Sequence, residues 1–324
     1  MAYHWDELTP FEALPDRGEG VKVAVPEKIL KLWGNFQMPK PPSEARAAVS
    51  FNFVQTLDGV ASYGVRGFAG GGAISKKRED RWMMDAYRTM TDAIVLGAET
   101  VRAEDREIKR RREAGGRPLY EIDGMPTNGF VATVEDPELA EWRRRTRGER
   151  HPVLVVITAS GELPEDLGIF DLASQRILIF TTPAGESVLI EMMRNKRRFA
   201  NVETIPFGGI PADLPLFLTG ILKQKFGIRY ALCEGGPATA GAFLQDGLDD
   251  ELLLTVAPLL ATGKDEGGQA RKRIVEGPDF YPAAAFDAPG LRIPPGARRS
   301  PEYLLHSVRR HGDHMFFRYW RQRS

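Results

Sequence analysis

The second half of the chain alternates between short apolar segments rich in β-branched residues and longer segments with helical spacing. The apolar segments include VLVVIT, RILIF, NVETIPF and IRYALC, and the amphipathic stretches ESVLIEMMRNK and ADLPLFLTGILKQKF lie among them. Strands joined by short helices predict a mostly parallel sheet with helices on both faces. The chain ends in EYLLHSV and HMFFRYW, joined by a turn through RRHGD, which predict an antiparallel pair. We therefore expect an α/β fold with a mixed, mostly parallel central sheet and an antiparallel C-terminal edge.

Composition along the chain indicates two unequal units. Residues 1–44 end in the proline-rich run MPKPPSE, and we interpret them as an arm and linker packed on the main domain, the alternative being a separate functional unit. Residues 45–324 form the main domain, which starts at the β-rich segment AAVSFNFV. Two basic runs within it, EIKRRRE and EWRRRTRGER, flank a Gly- and Pro-rich segment, and we expect both to be solvated helix faces.

The charge and cysteine content exclude several classes of protein. Lysine plus arginine number 44 and aspartate plus glutamate 44, so the net charge of zero provides no global field for nucleic acid or an anionic membrane. The single cysteine, Cys233, excludes an intrachain disulfide, and with only scattered histidines we predict no metal site. The N-terminal sequence lacks the pattern of a signal peptide, and no segment has the ~18 to 20 apolar residues of a membrane span. We expect a cytoplasmic protein.

The strongest local signal is ALCEGGPATAGAFL, in which an apolar strand stops at Glu234 and a helix begins near Pro237. Gly235 and Gly236 allow a tight turn and close approach of a phosphate, because no Cβ intervenes. The free amides and the dipole of a helix N-terminus favour an anion at this place. An ordinary strand-to-helix turn explains the spacing equally well, and the GxGxxG fingerprint is absent.

Two further strand ends carry polar residues. After the strand TDAIVLG, Thr100 and Glu104 are one helical turn apart, so they share a helix face. Both side chains are suited to binding a phosphate or a ribose. The alternative is that they only cap the N-terminus of the helix. Asp58 and Gly59 follow the first strand of the main domain, where such a pair usually marks a turn.

Two arginines are candidates for an anion clamp. Arg88 ends the first helix of the main domain, and Arg111 lies in the basic run after Glu104. A guanidinium fork matches a phosphate bidentately, so arginines suit a phosphorylated substrate. The alternative to phosphate binding is that both arginine side chains are simply solvated at the surface.

In this order, TLDG, the helix ending in Arg88, DAIVLGAETVRAED and EGGPATAGAFLQDGLDDELLLTVAPLLATG resemble one family. It is the reductase domain of the bifunctional riboflavin-biosynthesis deaminase-reductases, together with their stand-alone pyrimidine reductase relatives, and it has the dihydrofolate-reductase-like fold. The resemblance covers residues 47–324, with a stretch at 112–150 that looks like an insertion. The EGGP…GLxDEL combination is the specific part of the match, whereas TLDG and GxxT alone are not.

The resemblance implies NADPH-dependent reduction of a phosphoribosylamino-pyrimidine, in which hydride passes to C1′ of the opened ribose and gives a ribitylamino product. It implies that Glu234 is a carboxylate on the substrate side. Because the opening ribose ring needs a proton source, Glu234 is the candidate for orienting or protonating the ribose, with Asp58 as a second candidate. Arg88 and Arg111 would hold the substrate phosphate, and the protein would be a homodimer. The implied cofactor contacts are Thr100, Glu104, Thr158 or Ser160, Gly235, Gly236, Pro237, Ala238 and Thr239.

Departures from the family pattern bear on the substrate. Many members carry a basic residue directly after LDG, where it can reach the ribose, whereas this chain has Val60, and Arg66 is the candidate substitute. The zinc-deaminase pattern HxE…PCxxC is absent, so we expect no deaminase activity.

Two other functions are alternatives to pyrimidine reduction. One is that of a paralogous NADPH reductase of another small molecule such as a pterin, and the other is that of a nucleotide-binding homologue without catalysis. The sequence leaves open the preference between NADPH and NADH.

Overall fold

The structure, a computed structural model, describes residues 9–66, 68, 70–113, 131–194, 196–209 and 213–323, without the side chains of residues 111 and 112. The strands in this part are β1 (Glu12–Ala13), β2 (Val21–Lys22), β3 (Gln37–Met38), β4 (Ala48–Thr56), β5 (Ala93–Gly97), β6 (Val153–Ile157), β7 (Ile177–Thr181), β8 (Val202–Pro206), β9 (Tyr230–Cys233), β10 (Glu251–Ala257), β11 (Phe280–Tyr281), β12 (Arg298–Arg299), β13 (Tyr303–His311) and β14 (His314–Arg321). The helices are α1 (Glu27–Leu32), α2 (Gly72–Ser75), α3 (Arg78–Met90), α4 (Ala98–Glu113), α5 (Pro137–Arg147), α6 (Pro183–Met193), α7 (Leu214–Phe226), α8 (Pro237–Gln245) and α9 (Ala283–Phe286). None of these helices is both long and apolar enough to cross a membrane.

One large sheet organises the described chain, with its strands in the order β1-β13-β14-β10-β4-β9-β5-β6-β7-β8. All neighbours from β10 to β8 run parallel, as the connecting helices require. The hairpin of β13 and β14 pairs antiparallel with β10, and β1 adds beyond it. The predicted mixed sheet with an antiparallel C-terminal edge is therefore confirmed.

Alternate side chains of the parallel strands fill two cores, one on each face of the sheet. On β5, Ile94 and Leu96 belong to the core that contains Trp82 and Met90 of α3. The intervening Val95 belongs to the opposite core, together with residues of α7 and α8. Because both faces are covered, ligands have access mainly to the ends of the strands.

The N-terminal arm contributes to the core on the α3 side. Trp33, Phe36 and Met38 are buried there, and the ring of Phe36 lies 5.1 Å from that of Tyr87 on α3. Strand β1 extends the sheet by pairing with β13. Residues 9–44 thus pack against the main sheet, while the domain boundary at residue 44 stays a prediction.

Both basic runs are helical, in α4 and α5, and the second is more than a solvated face. Arg143 of α5 is buried and donates through Nη1 to the carbonyls of Thr89 and Thr91, at 2.9 and 2.7 Å. These carbonyls lie at the C-terminal end of α3, where a cation is favourable. The expectation of a solvated face is therefore wrong for Arg143, because α5 docks on the end of α3.

Candidate active site

Three turns with polar residues meet at one edge of the sheet. Strands β4, β9 and β5 are adjacent and parallel, so their carboxyl ends lie side by side. The segments that follow these ends contain Asp58, Glu234 and Thr100, respectively. In parallel α/β sheets, ligands bind at this edge. The fold therefore brings together motifs that are far apart in the sequence.

The turn after β9 leaves the start of α8 open to a ligand. Gly236 precedes the helix, and no side chain caps the free amides of the first turn. A Cβ added at Gly236 would meet only Thr100 Oγ1, at 3.8 Å, within 4 Å. Pro237 is the first helical residue, and Ala238 beside it is exposed. A phosphate can therefore approach this backbone closely and accept hydrogen bonds from it.

Thr100 and Thr239 lie where the turn after β5 meets the turn after β9. A Cβ at Gly97 would be 3.1 Å from Thr239 Oγ1, and a Cβ at Gly235 would be 2.9 Å from Thr239 Cβ. Both glycines therefore allow α8 to pack tightly against the end of β5. The contact places two threonine hydroxyls in the first turns of two neighbouring helices, α4 and α8.

Two of the predicted residues, Arg88 and Glu234, form a buried ion pair. Arg88 donates through Nε to Oε1 of Glu234 at 3.0 Å and through Nη2 to Oε2 at 2.6 Å. Its Nη1 donates to the carbonyl of Thr133 at 2.7 Å. The two side chains are only 3% and 7% exposed, so each charge depends on the other for compensation. Arg88 as a phosphate ligand stays a prediction, and the geometry favours a role in positioning Glu234.

A charged face of α3 adjoins this pair and was missed by sequence reasoning. Asp85 Oδ2 accepts hydrogen bonds from the amides of Glu135 and Asp136, at 2.8 and 2.7 Å. Arg81 forms an ion pair with Glu135. Arg81, Asp85 and Arg88 share one face of α3, at i, i+4 and i+7. This spacing was the signal in the sequence that α3 has a charged face as well as an apolar one.

Two carboxyl groups near the ion pair are held toward the protonated form. Burial raises the pKa of Asp85 to about 8, with repulsion from Glu135 adding to the effect and Arg88 opposing it. Burial likewise raises the pKa of Glu104 on α4, where Arg88 opposes and Glu234 adds to the effect. Glu104 is therefore coupled electrostatically to the Arg88–Glu234 pair, because both partners shift its pKa.

Asp58 closes the turn after β4. Its Oδ1 accepts hydrogen bonds from Thr56 Oγ1 at 2.6 Å and from the amide of Ala261 at 3.0 Å. The bond from Thr56, followed by that from Ala261, lowers the pKa of Asp58. Gly59 next to it has a φ of +82°, which the turn requires. An ionised, hydrogen-bonded carboxylate suits a structural role better than proton donation, and a catalytic role of Asp58 stays a prediction.

The remaining predicted residues lie around this centre. Thr158 follows β6, beyond β5, and its hydroxyl accepts a hydrogen bond from the amide of Gly161 at 3.2 Å. Val60 is buried in the turn after β4, whereas Arg66 is exposed. The side chain of Arg111 lies outside the described residues. Within the described ranges, no group of three or more His, Cys, Asp or Glu side chains is placed to hold a metal ion.

Several known proteins are similar to this chain. A 2,5-diamino-6-ribosylamino-4(3H)-pyrimidinone 5′-phosphate reductase of Archaeoglobus fulgidus is 25% identical over 187 residues, which are 58% of this chain and 71% of that protein. The structure of RibD from Acinetobacter baumannii is 18% identical, with a TM-score of 0.54 over 86% of this chain and 58% of RibD. The Saccharomyces cerevisiae riboflavin biosynthesis reductase Rib7 is 13% identical, with a TM-score of 0.50 over 86% of this chain and 91% of Rib7.

These structural likenesses show a shared fold, and this chain spans little more than half the length of the RibD protein. Residues 47–284, which include all three strand-end motifs, match the family described as the RibD C-terminal domain. The family resemblance seen in the sequence is thereby confirmed. The chain belongs to the RibD C-terminal domain family.

Proposed function

We propose that this protein is an NADPH-dependent reductase that converts the ribosyl group of a phosphorylated ribosylamino-pyrimidine to a ribityl group in riboflavin biosynthesis. Family membership and the name of the Archaeoglobus fulgidus relative support this reaction. The observation that carries the proposal is the position of Glu234, which Arg88 holds directly before the open start of α8. A carboxyl group for the sugar and an anion site for a nucleotide thus adjoin each other.

The start of α8 fits a phosphate group of NADPH. Its first-turn amides lack a side-chain cap, and the glycine before it leaves room for close approach. Thr100 and Thr239 would donate hydrogen bonds to phosphate or ribose oxygens. Glu104, whose pKa is raised by burial, would form a hydrogen bond with a ribose hydroxyl. When bound, NADPH supplies the hydride.

Glu234 would contact the ribose of the substrate. Reduction at C1′ requires the sugar ring to open, and the ring oxygen then needs a proton. A carboxylate held by a guanidinium keeps one orientation toward the sugar, so the ribose is bound in a single pose. In this scheme Arg88 is a positioning residue, because its guanidinium acts through Glu234.

The resemblance also leads us to propose a cytoplasmic homodimer that acts on a small molecule and not on nucleic acid. Sedimentation equilibrium tests the assembly, with an expected mass of twice the 36.1 kDa chain. A mass equal to one chain would contradict the dimer without affecting the proposed reaction.

Nucleotide binding is the first experiment. The purified protein would be titrated with NADPH and NADH while quenching of tryptophan fluorescence is followed, and we expect tight binding of NADPH. Oxidation of NADPH would then be measured with the phosphoribosylamino-pyrimidine. Turnover of a pterin, or of a substrate without its 5′-phosphate, would instead favour the paralogous reductase. Binding of neither nucleotide would refute both reductase hypotheses.

A further inference from the structure

The connection after β10, residues 258–279, crosses the carboxyl edge of the sheet, and we call it the strap. Near its start, the carbonyl of Leu259 accepts a hydrogen bond from the amide of Leu57, in the turn after β4, at 2.8 Å. Near its end, the amide of Glu276 donates to the carbonyl of Pro237, at the start of α8, at 3.1 Å. The strap is therefore fixed to both sides of the candidate active site.

Three consecutive cations on the strap differ in their partners. Arg271 donates through Nη1 to the carbonyl of Ala261 at 3.0 Å. Lys272 Nζ lies 3.3 Å from a carboxylate oxygen of Glu276. Arg273 is exposed and makes no hydrogen bond or ion pair with any residue in the described part of the chain. Its guanidinium therefore retains its full capacity to bind an anion.

Arg273 nonetheless has a defined position, next to the turn after β4. A Cβ added at Gly59 would be 3.1 Å from Arg273 Nη1 and 4.0 Å from Gln55 Oε1. The neighbouring carboxylate of Asp58 attracts the guanidinium, although its Oδ1 is already engaged by two hydrogen bonds within the turn. The absence of a Cβ at Gly59 thus lets the guanidinium of Arg273 lie close to the backbone of this turn. Strand β4 is adjacent to β9, and Glu234 directly follows the last residue of β9, Cys233.

The phosphate of the proposed substrate needs a cation with free donors. Arg88 is buried, and its hydrogen bonds go to Glu234 and the carbonyl of Thr133. Arg273 is exposed and lies against the turn after β4, the strand adjacent to β9. We infer that Arg273 binds the 5′-phosphate of the substrate and so selects phosphorylated ribosylamino-pyrimidines, an inference that rests on the proposed function.

The experiment compares single-charge deletions at three positions. In Arg273→Ala we expect the KM for the phosphorylated substrate to rise about tenfold or more, with kcat changed much less, because a bidentate charge-assisted contact is lost. Lys272→Ala removes the same charge from the adjacent position and is the matched control, for which we expect less than about a twofold change in KM, as for other exposed charges. Arg66→Ala tests the other candidate cation, in the loop after β4, and should raise KM less than Arg273→Ala does. Arg273→Lys should have an intermediate KM, because the charge is kept and the fork is lost.

Inhibition by ribose 5-phosphate and by ribose provides a second measurement. The wild-type protein should be inhibited more strongly by ribose 5-phosphate, and Arg273→Ala should abolish that difference. An unchanged KM in Arg273→Ala, or an equal rise in Lys272→Ala, would overturn the inference, as would a rise confined to Arg66→Ala.

If the wild-type protein does not reduce the pyrimidine at all, the proposed function fails. Thermal stabilisation by ribose 5-phosphate, lost in Arg273→Ala and kept in Lys272→Ala, would then still support a phosphate site at Arg273, and its absence would refute it.

Discussion

The guanidinium of Arg88 donates to both carboxylate oxygens of Glu234, a residue 146 positions away in the chain. This contact joins the C-terminal part of α3 to the end of β9, at the centre of the sheet. The same guanidinium donates to the carbonyl of Thr133, so it also holds the segment before α5 in place. One arginine therefore couples the orientation of the site carboxylate to the packing of three parts of the protein.

Replacement of Arg88 by alanine should destabilise the protein by about 3–5 kcal/mol, because the buried carboxylate of Glu234 loses its counter-charge. Urea unfolding at neutral pH measures this effect. The matched control is Arg102→Ala, which breaks an ion pair to Glu99 in which the glutamate is 72% exposed. Exposed pairs of this kind contribute less than about 1 kcal/mol. A raised KM in Arg88→Ala with unchanged stability would instead support direct binding of the substrate phosphate.

The strand ends of the site could be predicted from the sequence because their signals are local. At Glu234 and at Gly97 an apolar strand stops at a polar or glycine residue and a helix follows. Parallel strands place such ends on one edge of a sheet, so their proximity also follows from the fold class. The order of the strands does not follow, since no local pattern states that β9 lies between β4 and β5.

Pairing between distant side chains was beyond sequence reasoning. Arg88 and Asp85 look like ordinary charges on an amphipathic helix, and their surroundings depend on the docking of the segment before α5. Arg143 likewise belongs to a basic run that suggests solvation, yet it is buried against the end of α3. Each of these roles is a property of tertiary contacts, which the spacing of residues along the chain does not determine.

Asp85 should make the stability of the protein decrease as pH rises. The pKa of Asp85 is raised from 3.8 to about 8 by burial, so the folded state favours the neutral acid. Its contribution to stability is complete below pH 3.8, declines above that pH, and is lost as pH rises through about 8. In Asp85→Asn the side chain stays neutral and can still accept the two backbone hydrogen bonds.

Urea unfolding of both proteins from pH 5 to pH 9 measures this prediction. We expect the free energy of unfolding of Asp85→Asn to rise relative to the wild type across this range, because only the wild type has to ionise a buried acid. Parallel curves for the two proteins would show that Asp85 is ionised throughout the range in the folded state.

His151 should make the stability of the protein decrease as pH falls, which is opposite to the effect of Asp85. Burial lowers its pKa from 6.5 to about 4, with repulsion from Arg150, Arg143 and Arg88 adding to the effect. Its Nδ1 accepts a hydrogen bond from the amide of Val134 at 3.3 Å, which protonation would break. The stability contributed by neutral His151 is therefore complete above pH 6.5 and is lost as pH falls through about 4.

A His151→Gln variant keeps an acceptor for this amide but does not titrate. Its free energy of unfolding should fall less steeply than that of the wild type between pH 6.5 and pH 4. NMR titration of the imidazole provides the direct measurement. A pKa of His151 near its ordinary value would contradict the prediction.

The Gly236→Ala substitution should weaken NADPH binding without affecting the fold. The new Cβ would make only an ordinary contact with Thr100 Oγ1, at 3.8 Å, and the backbone at Gly236 is extended. A methyl group there would separate a phosphate from the amides of α8, and we expect about a tenfold loss of affinity, or about 1.4 kcal/mol. Gly208→Ala is the matched control, because nothing lies within 4 Å of its Cβ position. Equal affinities for the two variants would place the nucleotide elsewhere.

The substitutions Glu234→Gln and Asp58→Asn should distinguish the roles of the two carboxylates that the sequence predicts to be catalytic. Asparagine at position 58 can still accept the hydrogen bonds from Thr56 and Ala261, so we expect a stability loss of about 0.5–1.5 kcal/mol and less than about a threefold change in kcat. Glutamine at position 234 replaces one carboxylate oxygen by an amide NH2 group, which cannot accept a hydrogen bond from Arg88. The side chain then loses its charge and its ability to transfer a proton or to orient the ribose. We expect kcat for NADPH oxidation to fall about 100-fold or more. Thermal unfolding of both variants shows whether the protein is still folded, and a comparable fall of kcat in a folded Asp58→Asn variant would assign chemistry to Asp58 as well.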